Sequence, residues 1–221
     1  MKVFRYFKRK ISECSEIAWK GLIVPWLRIL KIDKRSYKKL NLCSGGTLLK
    51  GYWNVDVAPG ADLIFDLSRD NLPFKDNSMS VVVCMSAINY FSRARAQEII
   101  KETYRVLETG GVARFGVQDL QNIAQKYISR DVDFFFQRLP DGRERFVGET
   151  MADKINSWFY GYEAYGRRPC KYVYDFETLA LLFEKAGFKK IAQRVYRESS
   201  IPEINLIDNR PDQMFFLEAM K

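Results

Sequence analysis

The amino-acid sequence predicts an α/β fold built around a doubly wound, mostly parallel β-sheet. From Leu40 onward, short apolar strand patterns alternate with amphipathic helix patterns, an order that covers both faces of a parallel sheet with helices. The run from Met79 to Met85 is almost uninterruptedly apolar, as a central parallel strand requires. The first strand pattern ends in a turn that contains Gly45 and Gly46, which favours a ligand pocket at that edge of the sheet.

The predicted strands lie at 39–43, 52–57, 62–66, 79–85, 112–117, 188–197 and 213–220. Ser92 is a candidate N-cap for a helix that runs to Leu107, with Gly110 expected at its left-handed C′ position. A further helix is predicted over residues 175–186. Only about nine residues separate the first two strands, so we expect the helix of this crossover to be reduced to about one turn.

The chain is predicted to divide into an arm over residues 1–38 and a domain over residues 39–221. Residues 131–170 interrupt the alternation with many aromatic and charged residues, and they predict an insertion or lid. Residues 1–39 hold twelve Lys and Arg but three Asp and Glu, an excess equal to the net charge of the whole chain, +9. The basic character therefore belongs to the arm, and the domain is neutral overall.

The arm has the pattern of a basic amphipathic helix, which Pro25 is expected to bend or split. Lys and Arg flank Trp19 and Trp26, a pattern that fits a helix lying on an anionic membrane surface. The charge also suits the phosphates of a nucleic acid, although the domain adds no excess of positive charge. The third alternative is a helix that packs on its own domain or on the partner subunit of a homodimer. Nucleic acid is the least favoured of these partners.

The composition excludes several classes of chemistry. The chain contains no histidine, so neither a histidine general base nor a histidine metal ligand is available. The four cysteines form no C-x-x-C pair, which argues against a zinc site or a disulfide framework. No stretch of about 18 residues is free of charge, and no secretory signal is recognisable. We expect a cytoplasmic protein without a metal, located at the inner face of the membrane if the arm binds lipid.

A strand, a glycine turn and a second strand that ends in an acid form an arrangement typical of ribose binding. Gly45 and Gly46 allow the main chain to approach a ligand, and Asp56 ends the second strand eleven residues after Gly45. A carboxylate at that position accepts hydrogen bonds from ribose hydroxyls. The paired glycines alone are weak evidence because they also occur in ordinary tight turns, and Asp56 strengthens the interpretation.

Several short motifs follow one another in a fixed order. They are Leu40-Asn41-Leu42-Cys43-Ser44-Gly45, Gly51-Tyr52-Trp53-Asn54-Val55-Asp56, Asp66-Leu67, Leu72-Pro73-Phe74-Lys75-Asp76-Asn77-Ser78, Leu107-Glu108-Thr109-Gly110-Gly111 and Gln118-Asp119-Leu120, with Tyr174 to Leu179, Glu184 to Phe188 and Asp208 to Pro211 further on. In this order they resemble a branch of the class I S-adenosylmethionine-dependent methyltransferases that is often associated with bacterial cell-surface glycan biosynthesis. The resemblance covers residues 39–220 apart from the insertion.

The resemblance implies a Rossmann-like, seven-stranded class I methyltransferase fold with S-adenosylmethionine as the cofactor. It implies that Asp56 binds the ribose diol and that Val57 packs beside the adenine. Asp66 and Leu67 would meet the adenine edge, although Asp66 is alternatively a turn former at the end of its strand. The other cofactor-binding residues that it implies are Asn41, Cys43, Ser44, Gly45 and Gly46 beside the methionine part, and Met85 and Ser86 after the fourth strand.

The sequence departs from the pattern of this branch at two places. Cys43 stands where the branch has its first glycine, and we expect the turn to accommodate it with a negative φ. After the fourth strand the branch has L-E-H-[IL], whereas this chain has Ile88-Asn89-Tyr90-Phe91. Tyr90 is either a candidate catalytic residue, through a hydrogen bond to the acceptor, or a half-buried aromatic residue. Asp119 is either a candidate catalytic residue in contact with the acceptor or the N-cap of the next helix.

These patterns predict a methyltransferase that acts on a glycan, a lipid-linked sugar or another small acceptor. The methyl group is already activated on the sulfonium of the cofactor, so the protein mainly aligns the acceptor. An O-methylation usually also needs a base for the hydroxyl proton, and the absence of the histidine weakens this part of the prediction. The alternative is a non-catalytic methyltransferase-like partner or scaffold protein. An RNA methyltransferase is a further alternative that only the net charge favours.

Overall fold

Seven strands form one β-sheet in the computed structural model, which describes residues 37–160 and 169–221. The predicted arm over residues 1–38 lies outside the described residues except for its last two. Residues 161–168 of the predicted insertion also lie outside them. The division of the chain into an arm, a domain and an insertion therefore stays a prediction.

The strands are β1 (Lys39–Leu42), β2 (Trp53–Asp56), β3 (Leu63–Ile64), β4 (Met79–Met85), β5 (Leu107–Gln118), β6 (Lys189–Arg194) and β7 (Met214–Met220). Their order in the sheet, β3-β2-β1-β4-β5-β7-β6, confirms the predicted doubly wound sheet. β1 to β5 pair in parallel, and β7 is antiparallel to both β5 and β6. β2 and β3 are shorter than the predicted strands over 52–57 and 62–66. The order reverses between β1 and β4, where Leu42 pairs with Cys84.

Within the described residues, the α-helices are α1 (Arg93–Val106), α2 (Leu120–Ile128), α3 (Val132–Phe135), α4 (Met151–Tyr160), α5 (Phe176–Ala186) and α6 (Ile204–Ile207), and a short 3-10 helix spans Ile88–Tyr90. The predicted N-cap of α1 is confirmed, because Oγ of Ser92 accepts a hydrogen bond from the N–H of Arg95 at 3.3 Å. The predicted helix over 175–186 is α5, and Gly187 ends it with a φ of 102°. Across these parts of the chain, no helix has the length and apolar character needed to cross a bilayer.

The prediction that Gly110 ends α1 at the C′ position is wrong. The helix ends earlier, because Leu107 already pairs with Met79 of β4. The register then shifts, and residues 108–111 form a bulge in β5. Gly110 has a φ of 81° in this bulge, and its N–H donates to the carbonyl oxygen of Lys221 at 2.9 Å. Gly110 therefore contributes a hydrogen bond between β5 and the residue that follows β7, at the end of the sheet.

The connection between β1 and β2, over residues 43–52, contains turns but no helix. The crossover helix, which was predicted to be reduced to about one turn, is therefore absent from this connection. A pair of asparagines holds this connection. Nδ2 of Asn41 donates to Oδ1 of Asn54 at 2.9 Å and to the carbonyl oxygen of Thr47 at 2.8 Å. The same Oδ1 of Asn54 accepts from the N–H of Leu49 at 2.8 Å. Because Asn54 is 4% exposed, water competes little for these hydrogen bonds.

The two faces of the sheet are covered by different elements. On one face, Phe115 of β5 meets Phe183 of α5 edge to face, with ring centroids 5.0 Å apart, and α1 packs beside α5. On the other face, Val81 and Val83 of β4 belong to a buried cluster with Leu49, Tyr52, Ile201, Ile204 and Ile207. The second face is thus packed by the turns before β2 and by the short helix α6.

Residues 120–160 have a small hydrophobic cluster of their own. Lys154 is only 1% exposed there, and its Nζ donates to the carbonyl oxygen of Phe146 at 3.0 Å and lies 3.3 Å from Oε1 of Glu144. These contacts compensate the buried ammonium group. The cluster consists of Ile123, Phe134, Phe135 and Phe146, with Met151, Ile155, Trp158 and Phe159 packed against it.

Candidate active site

A cavity of about 760 Å³ is bordered by residues that follow β1, β2 and β4, beside the point where the strand order reverses. Ligands of open parallel sheets bind at this position. Tyr90 lines the cavity, together with all the residues predicted to bind the cofactor. Those residues are Asn41, Cys43, Ser44, Gly45, Gly46, Asp56, Val57, Asp66, Leu67, Met85 and Ser86.

Asp56 is held by the glycine turn that it faces. Its Oδ2 accepts a hydrogen bond from the N–H of Gly45 at 2.9 Å, and its Oδ1 accepts one from the N–H of Ala58 at 2.8 Å. Gly45 has a φ of 52°, a conformation in which glycine is favoured. A carboxylate oxygen can accept two hydrogen bonds, so Asp56 remains able to bind a diol while it holds the turn.

The expected negative φ of Cys43 is wrong. Its φ is 53°, in the left-handed region that costs a residue with a Cβ about 1–2 kcal/mol. The neighbouring thiol of Cys43 and burial raise the pKa of the Cys84 thiol in β4 well above its usual range. Both cysteines are free thiols. The strained turn therefore places the thiol of Cys43 beside the neighbouring strand.

Asp66 is a turn former at the end of its strand, which was the alternative to its predicted contact with the adenine. Its Oδ1 accepts hydrogen bonds from the N–H of Ser68 at 2.9 Å and from Oγ of Ser68 at 2.6 Å. Nε of Arg69 lies 3.6 Å from Oδ2. The side chain also lines the cavity and is 38% exposed. Asp66 is therefore accessible to an adenine, and that contact stays a prediction.

Two polar atoms at the cavity have no hydrogen-bond partner within residues 37–160 and 169–221. They are Oγ of Ser44 and Oδ1 of Asn209, and both are shielded from water. Leaving a buried polar atom unpaired costs free energy that a polar ligand can recover. S-adenosylmethionine carries an ammonium group, a carboxylate and ribose hydroxyls, so the residues present fit this cofactor.

Asn89 joins the wall of the cavity to the segment that follows the predicted insertion. Its carbonyl oxygen accepts from the N–H of Lys171 at 2.8 Å and from that of Tyr172 at 3.2 Å, and its Nδ2 donates to Sγ of Cys170 at 2.8 Å. Asn89 is 1% exposed, and its hydrogen bonds hold residues 170–172 against the wall of the cavity. Tyr90 beside it reaches the cavity and is 36% exposed, which leaves both of its predicted alternatives open.

Asp119 does not line the cavity. It caps α2, because its Oδ1 accepts from the N–H of Asn122 at 3.2 Å. Burial raises the pKa of the Asp119 carboxyl, while the hydrogen bonds from the N–H groups of the first turn oppose this shift. The N-cap alternative for Asp119 is confirmed, and its contact with an acceptor stays a prediction.

Three polar residues of the cavity come from the last quarter of the chain and were not predicted. They are Lys171, Asn209 and Arg210. Nη1 of Arg210 donates to Oγ of Ser86 at 3.3 Å. Asn209 and Arg210 belong to the motif from Asp208 to Pro211, which was the available signal in the sequence. Nothing in the sequence marks Lys171 as a residue of the cavity, because its position depends on Asn89 on the other side of the insertion.

A family model described as a methyltransferase domain matches residues 56–115. The matched segment begins at Asp56 and extends through β3, β4 and α1 into β5. The match implies that S-adenosylmethionine is the cofactor. No curated protein matches the sequence.

Solved structures are similar to this chain at low sequence identity. The apo form of the S-adenosylmethionine-dependent methyltransferase SibL aligns with a TM-score of 0.50 and 12% identity, over 92% of this chain and 56% of its own. A possible histamine N-methyltransferase from Thermotoga maritima aligns with a TM-score of 0.48 and 16% identity, over 97% of both chains. A possible exported protein from Bordetella parapertussis aligns with a TM-score of 0.47 and 13% identity, over 88% of this chain and 65% of its own.

The chain thus spans less than two thirds of two of these three proteins. At these identities, similarity shows the fold and nothing about the acceptor. Together with the strand order, the alignment with SibL shows that the fold is that of the class I methyltransferases.

Proposed function

We propose that this chain, which has the fold of the class I methyltransferases and S-adenosylmethionine as its cofactor, methylates a glycan, a lipid-linked sugar or another small acceptor. The observation that carries the proposal is the cavity, because residues from separate strand ends meet in it. Asp56 would hold the ribose, and the turn at Ser44 and Gly45 would border the methionine part. The order of the motifs supports an acceptor of the glycan class.

The protein has little chemistry of its own to supply in such a reaction. The cofactor brings a methyl group that its sulfonium already activates, so the side chains of the cavity mainly align the acceptor. We assign this role to Tyr90, whose side chain lines the cavity directly after β4. Its hydroxyl can donate a hydrogen bond to an acceptor oxygen or accept one from it.

Isothermal titration with S-adenosylhomocysteine, the demethylated product, tests cofactor binding. We expect saturable binding to the folded protein that is weakened when Asp56 is replaced. Absence of binding at millimolar ligand would overturn the proposal. The acceptor class is tested separately with S-adenosylmethionine that carries a tritiated methyl group and an extract of cell envelopes. We expect tritium in the carbohydrate fraction, and label confined to protein or RNA would contradict the proposed acceptor.

A non-catalytic partner or scaffold protein is the second candidate, and two observations favour it. Cys43 strains the cofactor turn with its positive φ, and Asn89 uses its carbonyl oxygen and its Nδ2 to hold residues 170–172 in place. The non-catalytic alternative predicts a folded protein that transfers no label. Methyl transfer to the extract above the rate without protein would exclude it.

A further inference from the structure

The charged residues of the cavity are two acids and two bases. Asp56 and Asp66 come from the ends of β2 and β3, whereas Lys171 and Arg210 come from segments far along the chain. We propose that Lys171 and Arg210 bind an anionic group of the acceptor, a carboxylate or a phosphate. This inference rests on the proposed function, since it specifies the chemistry of the molecule that is methylated.

Lys171 is positioned by a buried anchor. Its N–H donates to the carbonyl oxygen of Asn89 at 2.8 Å, and Nδ2 of the same asparagine donates to Sγ of Cys170 at 2.8 Å. The main chain of Lys171 is therefore fixed at the wall of the cavity, while the side chain extends from an exposed residue. Its ammonium group forms no ion pair within the described parts of the chain.

Arg210 is positioned by two ion pairs on either side of it. Asp208 lies 2.5 Å from Nη2 of Arg114 in β5, and both side chains are fully buried. Oδ2 of Asp212 accepts from Nη1 of Arg145 at 2.8 Å, and Oδ1 accepts from Nη2 at 3.3 Å. The short segment between Asp208 and Asp212 is thus fastened at both ends, once to the sheet and once to residues 131–160.

Arg210 is also held to the wall of the cavity by a hydrogen bond. Nη1 donates to Oγ of Ser86 at 3.3 Å, and this hydroxyl also accepts from Nε2 of Gln118 at 3.2 Å. A guanidinium group offers planar paired donors to a carboxylate or a phosphate, and an ammonium group adds a compact charge. Lys171 and Arg210 line the same cavity, and each carries donors of a kind that oxygen anions prefer.

The cofactor alone does not account for both bases. S-adenosylmethionine has one carboxylate but also a sulfonium and an ammonium group, so it adds positive charge to the cavity. An acceptor with a carboxylate or a phosphate would compensate that charge. The inference does not depend on the arm over residues 1–38, which carries most of the net positive charge of the chain.

The test uses the full-length protein saturated with S-adenosylhomocysteine and three sugar probes. D-glucuronate carries a carboxylate, D-glucose 6-phosphate carries a phosphate, and D-glucose is the neutral match of both. Binding is measured by ligand-observed NMR. We expect at least one anionic probe to bind about tenfold or more tightly than glucose, as charge-assisted hydrogen bonds imply. The comparison of the two anions distinguishes a carboxylate site from a phosphate site.

Variants then locate the site. We expect Lys171→Gln and Arg210→Gln each to remove most of the preference for the anionic probe, while Lys171→Arg retains it. Lys101→Gln makes the same change of charge on an exposed residue of α1 outside the cavity, and it should keep the wild-type preference. Circular dichroism verifies that each variant is folded.

Two results would overturn the inference. One is equal binding of the anionic and neutral probes. The other is a loss of S-adenosylhomocysteine affinity in the Lys171 and Arg210 variants without a change in anion preference, because the two bases would then hold the carboxylate of the cofactor. If the wild-type protein bound no S-adenosylhomocysteine, the proposed function would fail instead. The probes titrated without the nucleoside would still decide the anion site.

Discussion

The main-chain N–H of Gly45 donates a hydrogen bond to Oδ2 of Asp56 at 2.9 Å, which links the turn after β1 to the end of β2. Asp56→Asn places an NH₂ group where one of two accepting oxygens was, so one N–H loses its acceptor. We expect the affinity for S-adenosylhomocysteine to fall about 10- to 100-fold, the range for a hydrogen bond to a charged group. Isothermal titration measures this loss.

The matched control for this prediction is Asp133→Asn, which removes the same charge from an exposed residue of α3 outside the cavity. It should bind the nucleoside as tightly as the wild type does. An equal loss of affinity in both variants would mean that net charge matters and that Asp56 has no specific contact with the ribose.

The left-handed conformation of Cys43 leads to a second prediction. Cys43→Gly removes about 1–2 kcal/mol of strain and adds about 0.5–1 kcal/mol of chain entropy to the unfolded state. We therefore expect its free energy of unfolding to stay within about 1 kcal/mol of the wild type, whereas the β-branched Cys43→Val loses about 1–3 kcal/mol. Urea denaturation measures both. Cys43→Ala keeps a Cβ and removes only the thiol contact with Cys84, so it separates that contact from the strain.

The conformation of Cys43 also shows where sequence reasoning stops. Local sequence patterns predicted the central strands, the cap at Ser92 and the helix over residues 175–186, because those features depend on neighbours in sequence. A positive φ was expected at Gly110 and found there, but in a bulge, since a glycine ending a helix and a glycine in a bulge share the same local signature. The positive φ of Cys43 has no such local signature, because residues with a Cβ adopt this conformation only rarely.

For the same reason, some residues of the cavity were predicted from the sequence and others were not. The residues at the ends of β1, β2 and β4 were recognisable because each lies next to a strand that the sequence marks. Lys171 was not, because its position depends on a hydrogen bond to Asn89 across the insertion. Asp119 was placed at the correct strand end, yet its side chain turns to the N-terminus of α2, where it caps the helix. Which way a strand-end side chain turns is decided by tertiary contacts.

The buried ion pair between Arg114 and Asp208 leads to a third prediction. Both side chains are 0% exposed, and Asp208 also accepts a hydrogen bond from the N–H of Arg197 at 2.8 Å. Asp208→Asn leaves a buried guanidinium group short of its main counter-charge, and we expect the free energy of unfolding to fall by about 3 kcal/mol. Urea denaturation monitored by tryptophan fluorescence measures the change.

A double variant distinguishes the pair from simple loss of packing. Arg114→Met combined with Asp208→Leu removes both charges, so it should be more stable than Asp208→Asn alone. Asp141→Asn at the exposed pair with Arg143 should leave the midpoint of denaturation unchanged, because water screens that pair. A double variant less stable than the single one would contradict the electrostatic explanation.

Glu203 provides a prediction of pH dependence. Nζ of Lys39 lies 2.7 Å from Oε1 of Glu203, and the hydroxyl of Tyr52 lies 2.9 Å from Oε2. The hydrogen bond from Lys39 has the largest effect, and with that from Tyr52 it holds the pKa of the Glu203 carboxyl below its ordinary value of 4.5. Burial acts in the opposite direction. A lowered folded-state pKa stabilises the fold above about pH 4.5 and loses that contribution as the pH falls through the folded-state pKa.

We therefore expect Glu203→Gln to lower the free energy of unfolding by about 1 kcal/mol at pH 7, since the pair is partly exposed. At pH 3 the difference between variant and wild type should shrink. Urea denaturation at both pH values tests this. A difference that stayed constant with pH would mean that the amide disturbs packing around Tyr52 and that the charge of Glu203 contributes nothing.

Tyr90 and Asp119 allow the two predicted catalytic positions to be compared directly, since only Tyr90 lines the cavity. Tyr90→Phe keeps the ring and removes the hydroxyl, so we expect kcat with the labelled acceptor to fall about 10- to 100-fold while S-adenosylhomocysteine affinity is unchanged. Asp119→Asn still caps α2, because an asparagine oxygen can accept the N–H of Asn122, and kcat should change less than about threefold. Single-turnover kinetics separate the chemical step from product release in both variants. If Tyr90→Phe retained full kcat, Tyr90 would be an aromatic wall of the cavity, and the acceptor hydroxyl would have to be oriented by another group.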